Sequence, residues 1–119
     1  MDSRSRGAWG EDLAVEFLRG RGYVILARNY RCRYGEVDVI ASQGGYLAFV
    51  EVKLRKSSQY GTPGEAVTCA KQKKLRTTAL AWLQEHPTRM QPRFDVIEIL
   101  APRGEATAAP RINHIINAF

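Results

Sequence analysis

Apolar and polar positions follow two rhythms along this chain. Trp9, Leu13, Ala14, Phe17 and Leu18 recur at helical spacing, and Gly20 and Gly22 end the pattern, which predicts a helix over 8–19. Residues 1–6 are expected to be disordered. YVILARNY, residues 23–30, is rich in strand formers. GEVDVIASQGGYLAFVEVKLRK, residues 35–56, alternates with period two and predicts a hairpin turning at Ser42-Gln43-Gly44-Gly45. The Ser, Gly and Pro content of residues 55–65 marks a loop. The longest helix is expected over 63–85, with Val67, Leu75, Thr78, Ala79 and Trp82 on its inner face and Pro87 beyond its end. RFDVIEIL, residues 93–100, is apolar on both faces apart from Asp95 and Glu98, as in a central or parallel strand. PRGEATAAP predicts a loop and RINHIINAF a short edge strand. The order α-β-β-β-α-β, with this last short segment, describes one α/β domain over 1–119, a mixed β-sheet flanked by helices.

Composition narrows the partners. The chain has 119 residues, 45% apolar and 25% charged, as in an ordinary globular domain. Lys and Arg outnumber Asp and Glu by 18 to 12, a net charge of +6 that favours polyanions such as nucleic acid or an anionic membrane surface. Cys32 and Cys69 have no metal-binding or disulfide-framework spacing and are expected to be packing thiols in a reducing compartment. With only His86 and His114 available, a histidine-rich metal site is disfavoured. No apolar run approaches membrane-spanning length, and MDSRSRGAWGED lacks the apolar block of a signal peptide. A soluble, cytoplasmic protein with no membrane association is expected.

The candidate chemistry lies in the hairpin. Glu36 and Asp38 share a face of the first strand; Glu51, Lys53 and Arg55 share a face of the second. A turn over 42–45 sets Asp38 opposite Phe49 and Glu36 opposite Glu51. Asp38 and Glu51 are then diagonal neighbours, on the order of 7 Å apart at Cβ. Carboxylates gathered this way repel one another, and a hard divalent cation relieves the repulsion while leaving coordination positions for a phosphate. Lys53 is placed to stabilise developing charge. A solvated edge hairpin with a surface ion pair fits the bare pattern equally well, and the pattern leaves both readings open.

Family resemblance adds to this reading. GEVDVI and LAFVEVK resemble the signature of the PD-(D/E)xK nucleases, which have a restriction-endonuclease-like core. Nearly the whole chain, from GEDLAVEFLRGRGYVILARNYR through FVEVK and AVTCAKQKKLRTTALAWL to RFDV and the terminal NAF, resembles the YraN-like family of small bacterial predicted endonucleases, similar to archaeal Holliday junction resolvases. The resemblance implies Asp38 and Glu51 as metal ligands, the backbone carbonyl of Val52 as a third, and Lys53 as the catalytic lysine. Glu11 matches an acidic residue on the first helix of resolvase-like nucleases, with a catalytic and metal-binding role. Glu36 is a weaker ligand candidate. The Pro that leads the superfamily motif is replaced by Val37. The implied cofactor is Mg²⁺ or Mn²⁺, and the implied activity is a DNA endonuclease; the sequence leaves branched junctions, flaps, single strands and RNA open as substrates, and junction cleavage would call for two active sites and hence a homodimer.

Other residues are more open. Glu11 aligns with Val15 and Leu18 on one helix face, and an acidic residue in a first turn is also favoured by the helix dipole. Lys71, Lys74 and Arg55 are expected to contact phosphates, and Gln72, which resembles a glutamine of related nucleases, to approach the site. Tyr60 either stacks on nucleic acid or packs its loop. The sequence supplies no role for Asp95. Trp9, Phe17 and Trp82 are expected in the core. Two other classes fit the same residues: a basic nucleic-acid-binding module on this fold without catalysis, and an accessory protein whose hairpin is only a structural edge.

Overall fold

The computed structural model of the protein describes residues 3–56 and 67–119. The elements are α1 (Ser3–Gly20), β1 (Val24–Cys32), β2 (Gly35–Gln43), β3 (Tyr46–Arg55), α2 (Cys69–Glu85), β4 (Gln91–Leu100) and β5 (Arg111–Ile115). The strands form one mixed sheet in the order β1-β2-β3-β4-β5. β1, β2 and β3 run antiparallel through tight turns. β4 lies parallel to β3, reached by the α2 crossover, and β5 returns antiparallel to β4. This is the expected α/β architecture, and β4 is the parallel, internal strand its two apolar faces required.

Each helix covers one sheet face. Ala14, Val15 and Leu18 of α1 pack with Val39, Ala41, Val50, Ile97 and Ile99, with Trp9, Leu13 and Phe17 at the margin. Leu75, Ala79 and Trp82 of α2 pack with Ile40, Leu47, Phe49 and Val96. All five residues expected on the inner face of the second helix are buried. No helix among the described residues is long and apolar enough to cross a membrane.

Three boundaries differ from expectation. α1 begins at Ser3, so residues 3–6 are helical instead of disordered. Once a helix is nucleated on its packed turns, adding residues at its end costs little. α2 begins at Cys69, not near 63, because Thr68 is its cap: the hydroxyl accepts the Lys71 N–H at 3.2 Å and diverts the chain before it. Pro63, Gly64, Tyr60 and most of the expected 55–65 loop lie outside the described residues.

The third difference matters most for function. The β2–β3 turn is the two residues Gly44-Gly45, with Gly44 at φ 58, a conformation glycine adopts without steric cost. The strands therefore pair Gln43 with Tyr46 and Val39 with Val50, two residues out of the expected register. Phe49 thus pairs with Ile40 and not with Asp38, and the same register carried one step past the last pair sets Asp38 against Glu51.

Candidate active site

The hairpin ladder stops where the acidic residues begin. Val39↔Val50 is the last β2–β3 pair, whereas β3 stays paired with β4 as far as Arg55. Past that point the Asp38 side chain takes over from the ladder: its Oδ2 accepts the Val52 N–H at 2.8 Å. In an extended strand the N–H and C=O of one residue point to the same edge. The Val52 carbonyl therefore faces the opening that Asp38 enters. Packing records the same break. Val37 packs in the α2 layer and Val39 in the α1 layer, so the alternation of β2 is interrupted at Asp38.

β1 is irregular at the same level. A bulge between Ile25 and Ala27 shifts its register, and Asn29, across from Asp38 between the pairs Arg28↔Val39 and Tyr30↔Val37, has φ 53. Left-handed backbone in a non-glycine residue persists only where neighbours hold it. Here the holder is Glu11 of α1. Its Oε1 accepts from Asn29 Nδ2 at 2.9 Å and from Arg28 Nε at 2.8 Å. Glu11, in line with Val15 and Leu18, is buried; through Oε1 it braces β1 against α1, and its charge adds to the rise of the Asp38 carboxyl. Arg28 and Asn29 were not singled out in the sequence. The signal was present: they are the two polar residues that interrupt an otherwise β-forming run.

Glu51 is buried on the α2 side of the sheet, with only 6% of its surface exposed. Its Oε1 receives two ammonium groups, Lys71 Nζ from α2 and Lys53 Nζ at 3.3 Å from its own strand. Burial, then the side-chain contact with Lys71, holds Lys53 below the ordinary lysine range, against the pull of Glu51. For Lys71, burial pushes down, but the bond and charge of Glu51 outweigh it and the net shift is upward. Among the described residues Asp38 has no ion-pair partner of its own. Burial first, then the charge of Glu51, pushes its carboxyl up to about 7; Glu36 and Glu11 add to this and the Val52 N–H opposes it.

The remaining candidates divide. Glu36 is turned outward into an ion pair with Arg31 at 2.8 Å and does not join the pair. Gln72 does not approach the site; its Nε2 donates to the Val67 carbonyl at 2.9 Å and secures the start of α2. Lys71 pairs with Glu51 while its side chain stays partly open to solvent, and Lys74 is exposed. Arg55 lies beside Glu98, at 4.0 Å. Asp95 acquires a role on the opposite face: it accepts from Arg93, His114 and the Asn117 N–H, tying β5 to β4.

The donors that converge are oxygens only: two carboxylates and a backbone carbonyl, the set a hard divalent cation takes. Among the described residues no three acidic, imidazole or thiol side chains form a ready-made cage. Beyond its burial, the Asp38 carboxyl is raised by the charge of Glu51, a repulsion that a shared cation would relieve.

A stability test follows for the protein kept in chelator. A carboxyl raised from 3.8 to about 7 keeps, in the folded chain, a proton that the unfolded chain loses. This group's contribution to stability is therefore full below pH 4, falls as pH rises, and is gone above pH 7. The loss is on the order of 4 kcal/mol at most. Asp38→Asn retains an oxygen for the Val52 N–H and cannot ionise. Its urea midpoint should exceed that of the parent at pH 8 and converge with it at pH 4. A variant less stable than the parent at pH 8 would show that ionised Asp38 carries no such strain.

Fold and site together define a small α/β protein with a carboxylate–lysine cluster at the open end of a β-hairpin. Residues 10–99 match the uncharacterised protein family UPF0102, and the chain belongs to that family. A UPF0102 protein of Rhodococcus opacus is 49% identical over 116 residues, covering 95% of this chain and 94% of the relative. One from Syntrophomonas wolfei is 45% identical over 98% and 99% of the two chains. One from Symbiobacterium thermophilum is 53% identical over 82% and 83%. The matched span holds every residue of the cluster and Asp95, and ends before β5.

Proposed function

We propose that the protein is a metal-dependent DNA endonuclease of the PD-(D/E)xK type that its sequence resembles. The observation that supports this best is that Asp38 enters the opening where the β2–β3 ladder stops, bonded to the Val52 N–H and within reach of the Glu51 charge, with Lys53 beside Glu51. Asp38, Glu51 and the Val52 carbonyl would hold Mg²⁺ or Mn²⁺. Such an ion, when bound, supplies Lewis acidity at a phosphate and a lowered pKa for a coordinated water.

The chain's own groups do the rest. Lys53, half-buried in a setting that screens charge weakly, offers its ammonium to the charge that develops on a scissile phosphate. The Val52 N–H fixes the orientation of Asp38. Glu11, through Asn29 and Arg28, fixes the strand behind it. Arg55 and Lys74 take neighbouring phosphates, which positions the polyanion without reading its sequence. The substrate is DNA, with branched or junction structures favoured. Cutting both strands of a junction calls for two sites and hence a homodimer, and such an enzyme works in the cytoplasm.

One observation favours a second reading. Glu51 is already neutralised by two lysines, as in a binding module that has no need of a cation. A cleavage panel separates the two. Linear, flapped and four-way-junction DNA are incubated with the protein in Mg²⁺, in Mn²⁺ and in chelator. Cleavage in either metal that disappears in chelator is expected. Retention of DNA without cleavage of any substrate would leave the binding module standing.

A further inference from the structure

The two ammonium groups on Glu51 are not equivalent. Lys53 belongs to the strand: its backbone is paired with Glu98 in the β3–β4 ladder and its side chain is 19% exposed. Lys71 comes from another element, three residues past the Thr68 cap of α2, and its side chain is 43% exposed. It reaches over from the solvent side and ends on the same oxygen, Oε1, that Lys53 approaches. A buried carboxylate needs an opposite charge, and in the absence of a divalent ion an ammonium is what supplies it. Two like charges on one oxygen also repel, so the more exposed of the two is the easier to release.

We infer that Lys71 is a displaceable counter-ion: it neutralises Glu51 in the metal-free protein and competes with the divalent cation for that carboxylate, an inference that rests on the nuclease reading. Its α2 neighbour Lys74 carries the same charge but is exposed, and among the described residues only Lys53 and Lys71 pair with Glu51. Binding of the ion therefore exchanges one cation for another at Glu51 and returns the Lys71 ammonium to the rim, where a bound polyanion would meet it. Lys71 is thus a positioning residue whose effect on the ion is antagonistic.

The test is Mn²⁺ binding to the full chain, measured by titration calorimetry without DNA, so that no turnover enters. Lys71→Met should bind Mn²⁺ about tenfold more tightly than the parent, the effect of removing one nearby, partly screened charge. Lys71→Arg keeps the charge and should bind as the parent does. Lys73→Met, at an exposed α2 position with no part in the site, is the control for charge elsewhere on the helix and should change affinity little. A lysine with a purely structural role predicts equal or weaker Mn²⁺ binding in Lys71→Met, and that result overturns the inference while leaving the nuclease reading intact. If neither the parent nor any variant binds Mn²⁺, both fall together. If Lys71→Met fails to fold, Lys71→Gln carries the same comparison.

Discussion

Replacing Lys53 with alanine is expected to slow metal-dependent cleavage at least a hundredfold while leaving the fold in place. The side chain is 19% exposed, lies 3.3 Å from Glu51 and shares that carboxylate with Lys71. Glu51 therefore keeps one ammonium partner when Lys53 is lost, and the buried carboxylate is not stranded. What disappears is the strand-borne cation beside Glu51. A preorganised group of this kind in a weakly screening site is typically worth about 3 kcal/mol at the transition state, or roughly two powers of ten in rate. Single-turnover rates at saturating Mg²⁺ measure it directly. Lys53→Arg, which retains charge but changes shape, should recover part of the rate. The conclusion is wrong if Lys53→Ala cleaves within threefold of the parent. In that case Lys71 is the lysine that matters, and the two cations must trade roles.

The second large effect concerns stability and lies on the other face of the sheet. Asp95 has no exposed surface. Its Oδ1 accepts from Arg93 Nε at 2.9 Å and the Asn117 N–H at 3.0 Å; its Oδ2 accepts from Arg93 Nη2 and bonds His114 Nε2, both at 2.8 Å. Burial alone pushes this carboxyl up. The bonds from His114, Arg93 and Asn117, with the Arg93 charge, outweigh burial and hold its pKa below the ordinary carboxylate range. Asp95→Asn removes the charge and leaves Arg93, whose side chain is only 11% exposed, without its counter-ion. Breaking one side of a buried pair usually costs about 3–5 kcal/mol, a large share of the 5–15 kcal/mol that holds a domain together. The urea midpoint should fall accordingly, and the amides of β5 should lose exchange protection first, because His114 and Asn117 are what Asp95 retains. A depressed pKa also fixes the pH direction. The stabilisation is complete above about pH 4 and is lost as pH falls further, so the gap between parent and Asp95→Asn should narrow in acid. A cost below about 1 kcal/mol at pH 7 would mean that β5 is held by its ladder alone.

Periodicity by itself determined a good deal of this protein. The period-two pattern of residues 35–56 put Asp38, Glu51 and Lys53 in one hairpin, because side-chain alternation is a local property of extended backbone. The helical spacing of Leu75, Thr78, Ala79 and Trp82 named the inner face of α2, and the double-sided apolar run of 93–100 named the parallel strand, each for the same local reason. The line of Glu11 with Val15 and Leu18 set it on the face of α1 that carries buried residues, while its burial and its bonds to β1 came with the fold. Only the tertiary structure decided which groups meet. A turn two residues shorter than expected moved Asp38 from opposite Phe49 to opposite Glu51, since register depends on turn length and not on the strands it joins. Lys71 finds Glu51 twenty positions away in sequence because α2 is folded back over the sheet by the parallel crossover. Gln72, its next neighbour, is turned back to the Val67 carbonyl by the same helix start. Asn29 and Arg28 acquire their place from Glu11 of α1, and Asp95 its function from β5. Each of these is a pairing between elements, and a pairing is set by the packing of whole faces, which the spacing of residues within one element does not contain.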